Sequence, residues 1–246
     1  YTTLFRSESA GKMYGFVYDG TYKEEDFNIT VNENGKKTYE LKPGVPKFKD
    51  GCQPGDPKYK NIDGSEDNLI TDNDRTVIGN GHPLHTGGFT NNFVYKNWDL
   101  NIFLQWSYGN DVFNVNRLVM ENPGAKKQLN QFASYKNRWS ESNPTSNIPR
   151  VRAVGADEYS SLYVEDGSFL KLKTISLGYN FDTKTLKRIG LSAARVFVSA
   201  ENIATITGYS GSDPEVSTRH SVLTPGFDWS AYPRAFNASL GVNVTF

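Results

Sequence analysis

The chain has 246 residues, and its 27 Lys+Arg are balanced by 27 Asp+Glu. This balance disfavours a nucleic-acid surface, which needs a basic stripe, and excludes an acidic tail. Hydrophobic residues are 37% of the chain and aromatics 13%, with 22 Gly. Few aliphatics and many rings exclude a Leu/Ala-rich helical protein and leave too much buriable surface for disorder.

The elements are best read in chain order. Lys12–Tyr18 (KMYGFVY) has the composition of a first strand. A long connection, Asp19–His85, follows. Next, Phe89, Asn91, Phe93 and Tyr95 alternate with Thr90, Asn92 and Val94, and Lys96-Asn97 is a two-residue turn into a third strand. That strand runs from Trp98 to Tyr108. Trp98, Leu100, Ile102, Leu104, Trp106 and Tyr108 alternate with Asp99, Asn101, Phe103, Gln105 and Ser107. Aromatics at both ends of an aliphatic face are the girdle order of a lipid-facing strand. A tilted span needs only about 9–11 residues, so the lack of an apolar run of about 18 excludes membrane helices but not a barrel.

The connection Gly109–Gly167 contains a predicted helix. It opens at Asn122-Pro123 and carries Leu129, Phe132, Tyr135 or Lys136, and Trp139 at helical spacing. Ser168–Phe181 is the fourth strand, with Ile175, Leu177, Tyr179 and Phe181 on one face. After the polar connection Asp182–Ala194, the fifth strand is Arg195–Ile206, and Thr207–Ala235 is another long loop. In the sixth, Phe236, Ala238, Leu240, Val242, Val244 and Phe246 are apolar while Asn237, Ser239, Gly241, Asn243 and Thr245 are polar or small. Short turns alternating with long loops fit a barrel with turns on the periplasmic rim and loops outside. Lipid-facing residues would include Trp98, Leu100, Ile102, Leu104, Leu240, Val242 and Val244. Asn101, Gln105, Asn237, Ser239 and Asn243 would face the lumen.

Three groups of residues bear on chemistry. Counted against a calcium loop of about 12 residues, Asp63–Asp74 places oxygen side chains at the first, third, fifth, ninth and last ligand positions. Asp63, Ser65, Asp67, Thr71 and Asp74 would ligate through side chains, and Leu69 through its carbonyl, with Ile70 anchoring the loop inward. Asn68 stands where such loops carry Gly, and Asp74 is shorter than the usual Glu. The same residues also read as a solvated acidic loop. Loop aromatics form the second group: Trp139, Tyr163, Tyr209, Phe227, Trp229 and Tyr232. Of these, Trp139, Tyr209, Trp229 and Tyr232 are candidates to stack on sugar rings or hold peptide side chains, or else to pack on one another. The third group points away from catalysis. Gly208-Tyr209-Ser210-Gly211 misses the spacing of a nucleophile elbow. His82, His85 and His220 form no zinc pattern. No carboxylate pair is singled out, and Cys52 is a lone thiol. No enzyme is expected.

Several motifs, in order, resemble one family. They are Pro54-Gly55-Asp56, the acidic loop followed by Asp72–Asn80 (DNDRTVIGN), Gln105–Asn114 (QWSYGNDVFN), Val164–Tyr179 (VEDGSFLKLKTISLGY), Ser199–Thr207 (SAENIATIT), Ser212–Val216 (SDPEV), Tyr232–Phe236 (YPRAF) and the final Phe246. Together they resemble the C-terminal part of SusC/RagA-type TonB-dependent outer-membrane transporters of Bacteroidetes. The resemblance implies an all-β fold: the last strands, about six, of an antiparallel transmembrane β-barrel of roughly 22 strands with long extracellular loops. Residues 1–246 would all belong to the barrel, with the plug domain and TonB box outside this chain.

It further implies outer-membrane location, import of oligosaccharides or peptides driven through TonB, and a SusD-like surface lipoprotein as partner. Phe236, Leu240, Val242, Val244 and Phe246 resemble the signal read by the barrel-assembly machinery. The acidic loop departs from the family pattern by one extra residue and a missing Gly, and Gly81–His85 departs from its Pro-rich turn. Two other readings compete: a soluble β-rich calcium-dependent carbohydrate-binding module, and a porin without plug or TonB box.

Overall fold

The computed structural model describes residues 9–122, 129–215 and 223–246. Pro123, Val216 and His220 of the motifs above lie outside these. The described residues fall into two compact units, one of 82–111, 166–215 and 231–246, the other of 9–81, 112–122, 129–165 and 223–230.

The first unit is a five-stranded sheet. Its strands are β1 (His85–Tyr95), β2 (Trp98–Tyr108), β3 (Phe169–Asn180), β4 (Ala193–Thr207) and β5 (Asn237–Thr245). Each pairs antiparallel with the next, in the spatial order β5-β4-β3-β2-β1. This up-and-down order pairs each period-2 strand with the next in sequence, whether a two-residue turn or a long connection joins them. Tyr95 pairs directly with Trp98, so the Lys96-Asn97 turn is as tight as its sequence implies, with Lys96 at φ +53°. The Asp182–Ala194 connection holds a short helix, Thr183–Lys187, whose Lys184 N–H donates to the Asp182 side chain.

The registers bring like faces together. Phe93, Leu100, Leu177, Val198 and Leu240 form one row across all five strands, and Asn91, Ile102, Ile175, Ala200 and Ala238 form the next. Toward the short turns, Trp98 meets Tyr179 edge-on at 4.9 Å between centroids. At the other end His85 stacks on Tyr108 at 5.1 Å and accepts the Trp106 Nε1–H at 3.2 Å. A register shift between Leu172 and Thr174 inserts Lys173 as a bulge, and opposite it Asn202 stands at φ +53°.

The second unit is built from short, distant pairings around buried rings. Lys12–Phe16 pairs with Arg75–Asn80, Tyr18–Thr21 with Pro57–Tyr59, and Phe27–Val31 with Lys37–Leu41. Phe227–Asp228 runs parallel to Phe113–Asn114. Its packing centres are Phe16 with Tyr59 and Ile70, Tyr22 with Phe27 and Cys52, and Phe113 with Val115 and Tyr163.

Two sequence expectations change here. The KMYGFVY strand breaks after Phe16, and its Lys12–Phe16 part pairs with Arg75–Asn80 rather than joining the five-stranded sheet. Its Phe16 is buried among Tyr59 and Ile70. The expected helix through Leu129–Trp139 is a short 3₁₀ turn, Ala133–Asn137, because Phe132 is extended (φ −66°, ψ 148°). Among the described residues of that connection a regular helix lies earlier, at Val115–Met120, capped by the Asn114 side chain.

Candidate functional site

The two faces of the sheet differ sharply. On the apolar face Phe89, Phe93, Tyr95, Trp98, Leu240 and Val242 are exposed, with nothing in the described residues covering them. All lipid-facing residues named from the sequence lie on this face, since their registers match. Aliphatic rows between aromatic ends repeat the girdle order in three dimensions. No helix among the described residues is long and apolar enough to cross a membrane, which leaves crossing by strands open.

The opposite face carries Asn101, Gln105, Asn237, Ser239 and Asn243, as expected, and charged groups besides. Near the short turns the Arg195 guanidinium grips Asp99 with both arms, Nε–Oδ2 3.0 Å and Nη2–Oδ1 2.5 Å, and Asn180 donates to the same carboxylate at 2.8 Å. Phe197 lies flat over Gly241, where a Cβ would fall 2.3 Å from the ring. At the long-loop end Lys171 is buried, with Nζ 3.2 Å from Asp213 and 2.7 Å from Glu215. Lys173 and Arg234 also reach Glu215, at 3.3 and 3.2 Å. The spacing of single residues gave no signal for this cluster, because Lys171 lies 42 and 44 residues from Asp213 and Glu215.

The acidic loop forms a closed turn. Both Asp74 oxygens are occupied by backbone donors: Oδ1 accepts from Ile62 N–H at 2.7 Å and Asp63 N–H at 3.1 Å, and Oδ2 from Thr71 N–H at 2.8 Å. Asp67 accepts from Leu69 N–H and the Ser65 hydroxyl, and these two bonds hold its carboxyl below the usual range. Asp63 accepts from Ser65 N–H, and Thr71 Oγ1 from Asn73 N–H. Ile70 is buried against Phe16 and Tyr59, as expected of the loop's inward anchor, and Asn68 adopts φ +53°. Among the described residues no three His, Cys, Asp or Glu gather closely enough to hold a metal. In this arrangement the six candidate ligands do not converge on one point, because the loop's own N–H groups take the carboxylates.

The four candidate aromatics fall in two units. Trp139 and Trp229 belong to one unit, Tyr209 and Tyr232 to the other. Trp139 covers Gly55, where a Cβ would sit 2.5 Å from its ring, and so supports the Pro54-Gly55-Asp56 turn. Tyr209 is buried over Gly211. Only Trp229 and Tyr232 present their rings, at 53% and 87% exposure. Asp56 itself is fully buried, 2.6 Å from Arg150 Nε, and accepts N–H bonds from Gln53 and Val154. Burial pushes its carboxyl up, against the downward pull of Arg150 and those donors. An apolar cavity of about 150 Å³ lies among Met13, Tyr14, Ile78, Phe113, Tyr159 and Phe227.

Known proteins place these features. No protein-family model matches the chain. TonB-dependent receptor P3 of Formosa agariphila is 33% identical over 99% of this chain and 23% of its own length. TonB-dependent receptor SusC of Bacteroides thetaiotaomicron is 30% identical over 65% of this chain and 15% of its own. The solved RagAB peptide transporter superposes with a TM-score of 0.67 at 22% identity, over 96% of this chain and 23% of that one, a likeness of fold. The chain thus spans about a quarter of the length of the receptors it matches. On the sequence likeness and the girdled five-stranded sheet together, the chain belongs to the SusC-like TonB-dependent receptors.

Proposed function

We propose that the chain supplies part of the wall of an outer-membrane barrel that actively imports a nutrient under TonB control. The observation that carries this is the two-faced sheet: a continuous, uncovered apolar band ending in aromatics, backed by a polar face with paired charges. The apolar band would meet lipid and the polar face would line the passage. The long connections then lie outside the cell and the short turns and Phe246 on the periplasmic side. Phe236, Leu240, Val242, Val244 and Phe246, all exposed, would serve as the barrel-assembly signal. A SusD-like lipoprotein is the proposed partner at the outer rim. The roughly 22-stranded closure, the plug and the contact with TonB belong to the whole receptor.

For the cargo, the family resemblance points to oligosaccharide or peptide, and the solved RagAB complex, a likeness of fold, is a peptide transporter. Trp229 and Tyr232 are the ring-bearing contacts best placed to meet either. The soluble sugar-binding alternative would have to cover the apolar band with something the described residues do not provide. The test is cell fractionation of the full-length gene product. Recovery in outer membranes, released only by detergent, is expected, and recovery in the soluble fraction overturns the reading. Growth of a deletion strain on single glycans and on peptides as sole nutrient then separates the two cargo classes.

Calcium is a second proposal, and it rests on the residue order Asp63, Ser65, Asp67, Leu69, Thr71, Asp74. Asp63 and Asp67 stay exposed on the loop rim, but Asp74 would have to give up backbone donors to ligate. The full-length protein should then lose thermal stability on chelation and regain it with calcium. An unchanged melting temperature, with no metal found by elemental analysis, discards the ion.

A further inference from the structure

Burial on the sheet is inverted at its long-loop end. There the polar face is the covered one: Phe169 and Lys171 are 8% and 2% exposed, while Leu170 and Ile206 on the apolar face are 42% and 72% exposed. A lysine that deep persists only when its ammonium is paired and hydrogen-bonded. Lys171 has both partners it needs in Asp213 and Glu215. These two lie just beyond the end of β4, in the connection that leads to β5. The other end of that connection returns to the same spot. Arg234 Nε reaches Glu215 at 3.2 Å, and the Arg234 N–H donates to Asp213 at 3.2 Å. Asp213 also accepts the Glu215 N–H at 3.0 Å.

Two neutral bonds flank the cluster. Thr207 Oγ1 donates to the Ser168 carbonyl at 2.8 Å, and Asn202 Nδ2 donates to the Ala235 carbonyl at 2.9 Å. Both ends of the connection are therefore tied to each other and to the middle strand of the sheet. The Lys173 bulge adds to this, since it turns a second ammonium toward Glu215 instead of toward the apolar face.

We propose that Lys171 anchors an ionic strap that holds residues 208–215 across the polar face of the sheet, making them a fixed cover on the wall. The strap stands on side-chain geometry alone. Its consequence for passage rests on the reading that the polar face lines the import route.

The test uses the full-length receptor in its own outer membrane. Lys171→Met keeps most of the buried stem and removes the charge. Hydrogen exchange of the Glu215 and Arg234 amides should speed up at least tenfold, with the ladder amides of β2 and β3 unchanged. The exchanged pair Lys171→Glu with Glu215→Lys should recover part of the protection. Unchanged exchange in Lys171→Met overturns the strap, as does wild-type exchange already as fast as in unstructured peptide. If Lys171→Met does not assemble, Glu215→Gln is measured in its place and read by the same criterion. The second readout is entry of vancomycin, which is too large to cross an intact outer membrane freely. Faster exchange with raised vancomycin sensitivity supports both strap and passage. Faster exchange with unchanged sensitivity keeps the strap and overturns the polar face as passage lining.

Discussion

At the scale of single residues, buried charges in this chain are held by several partners each, and that sets what their loss should do. Asp56 is fully buried and, among the described residues, Arg150 is the cation that pairs with it. Removing one partner of such a pair costs on the order of 3–5 kcal/mol, because the other stays buried and uncompensated. Arg150→Met should therefore open the Pro54–Tyr59 turn, seen as rapid hydrogen exchange and proteolysis there. Arg150→Lys should recover less than half of the protection, since a point charge cannot replace the guanidinium fork.

The strap makes a pH prediction at the same scale. Burial pushes the Asp213 and Glu215 carboxyls up, but N–H donors and the facing Lys171, Lys173 and Arg234 pull further, so both sit below their ordinary values. A carboxyl depressed on folding contributes stability that is complete above its unfolded pKa and is lost as pH falls through the folded one. Protection of the strap amides should stay flat from neutral pH down to the ordinary carboxylate range, about pH 4, and fall only below it. A loss between pH 7 and 5 would point to another titrating group.

At the scale of elements, the face assignment is tested by a pair of arginines. Ile102 lies on the apolar face midway between Trp98 and Trp106, and Ser199 lies on the polar face. An arginine at the lipid midplane of a barrel costs about 2–4 kcal/mol, and one facing the lumen much less. Ile102→Arg should sharply reduce folded receptor in outer membranes, judged by heat-modifiable gel migration, and Ser199→Arg should leave it near wild type. Equal losses would contradict the assignment.

The sheet strands were legible in the sequence because period-2 alternation is a local signal. Even so, on β3 the alternation could be followed only from Ile175 onward, since the Lys173 bulge shifts the phase and hides Leu170 and Leu172 on the same face. The loop unit was not legible. Its strands are mostly of three to six residues, and partners such as Lys12–Phe16 and Arg75–Asn80 are far apart, so no local pattern announces them. For the candidate site, Ile70 and Asn68 behaved as the loop pattern implied. Trp139 and Tyr209 did not stay available, because glycines at 55 and 211 let their rings pack down on the backbone. The Lys171 cluster appeared in the sequence only as three separate motifs, with nothing to say that they meet.

At the scale of the whole molecule, the composition that first excluded helices takes on a more definite meaning. Low hydrophobicity with many rings is what one apolar face per strand, aromatic ends and structured polar connections add up to. The sheet alone cannot satisfy its surroundings. Among the described residues the outer edges of β1 and β5 have no strand partner, and the apolar band is uncovered. Open edges and large apolar patches drive association. The 246-residue chain produced by itself should therefore sediment as aggregate without detergent. A stable, monodisperse monomer in plain buffer would contradict this.

The bulge between Leu172 and Thr174 has a mechanical consequence. Below it, all five strands share an unbroken ladder, with β5 paired to β4 from Ala193 to Glu201. At the bulge β3 carries one residue more than β2 and Asn202 and Ile203 of β4 fall out of register, and above it the last four residues of β4, Ala204–Thr207, pair only with β3. The line through Lys173 and Asn202 is thus a crease across the wall, and the ion pairs of Lys171 lie just beyond it. A pull on the outer connection is borne first by those ion pairs and by bending at the crease, so the ladder that would seal the membrane is spared the load.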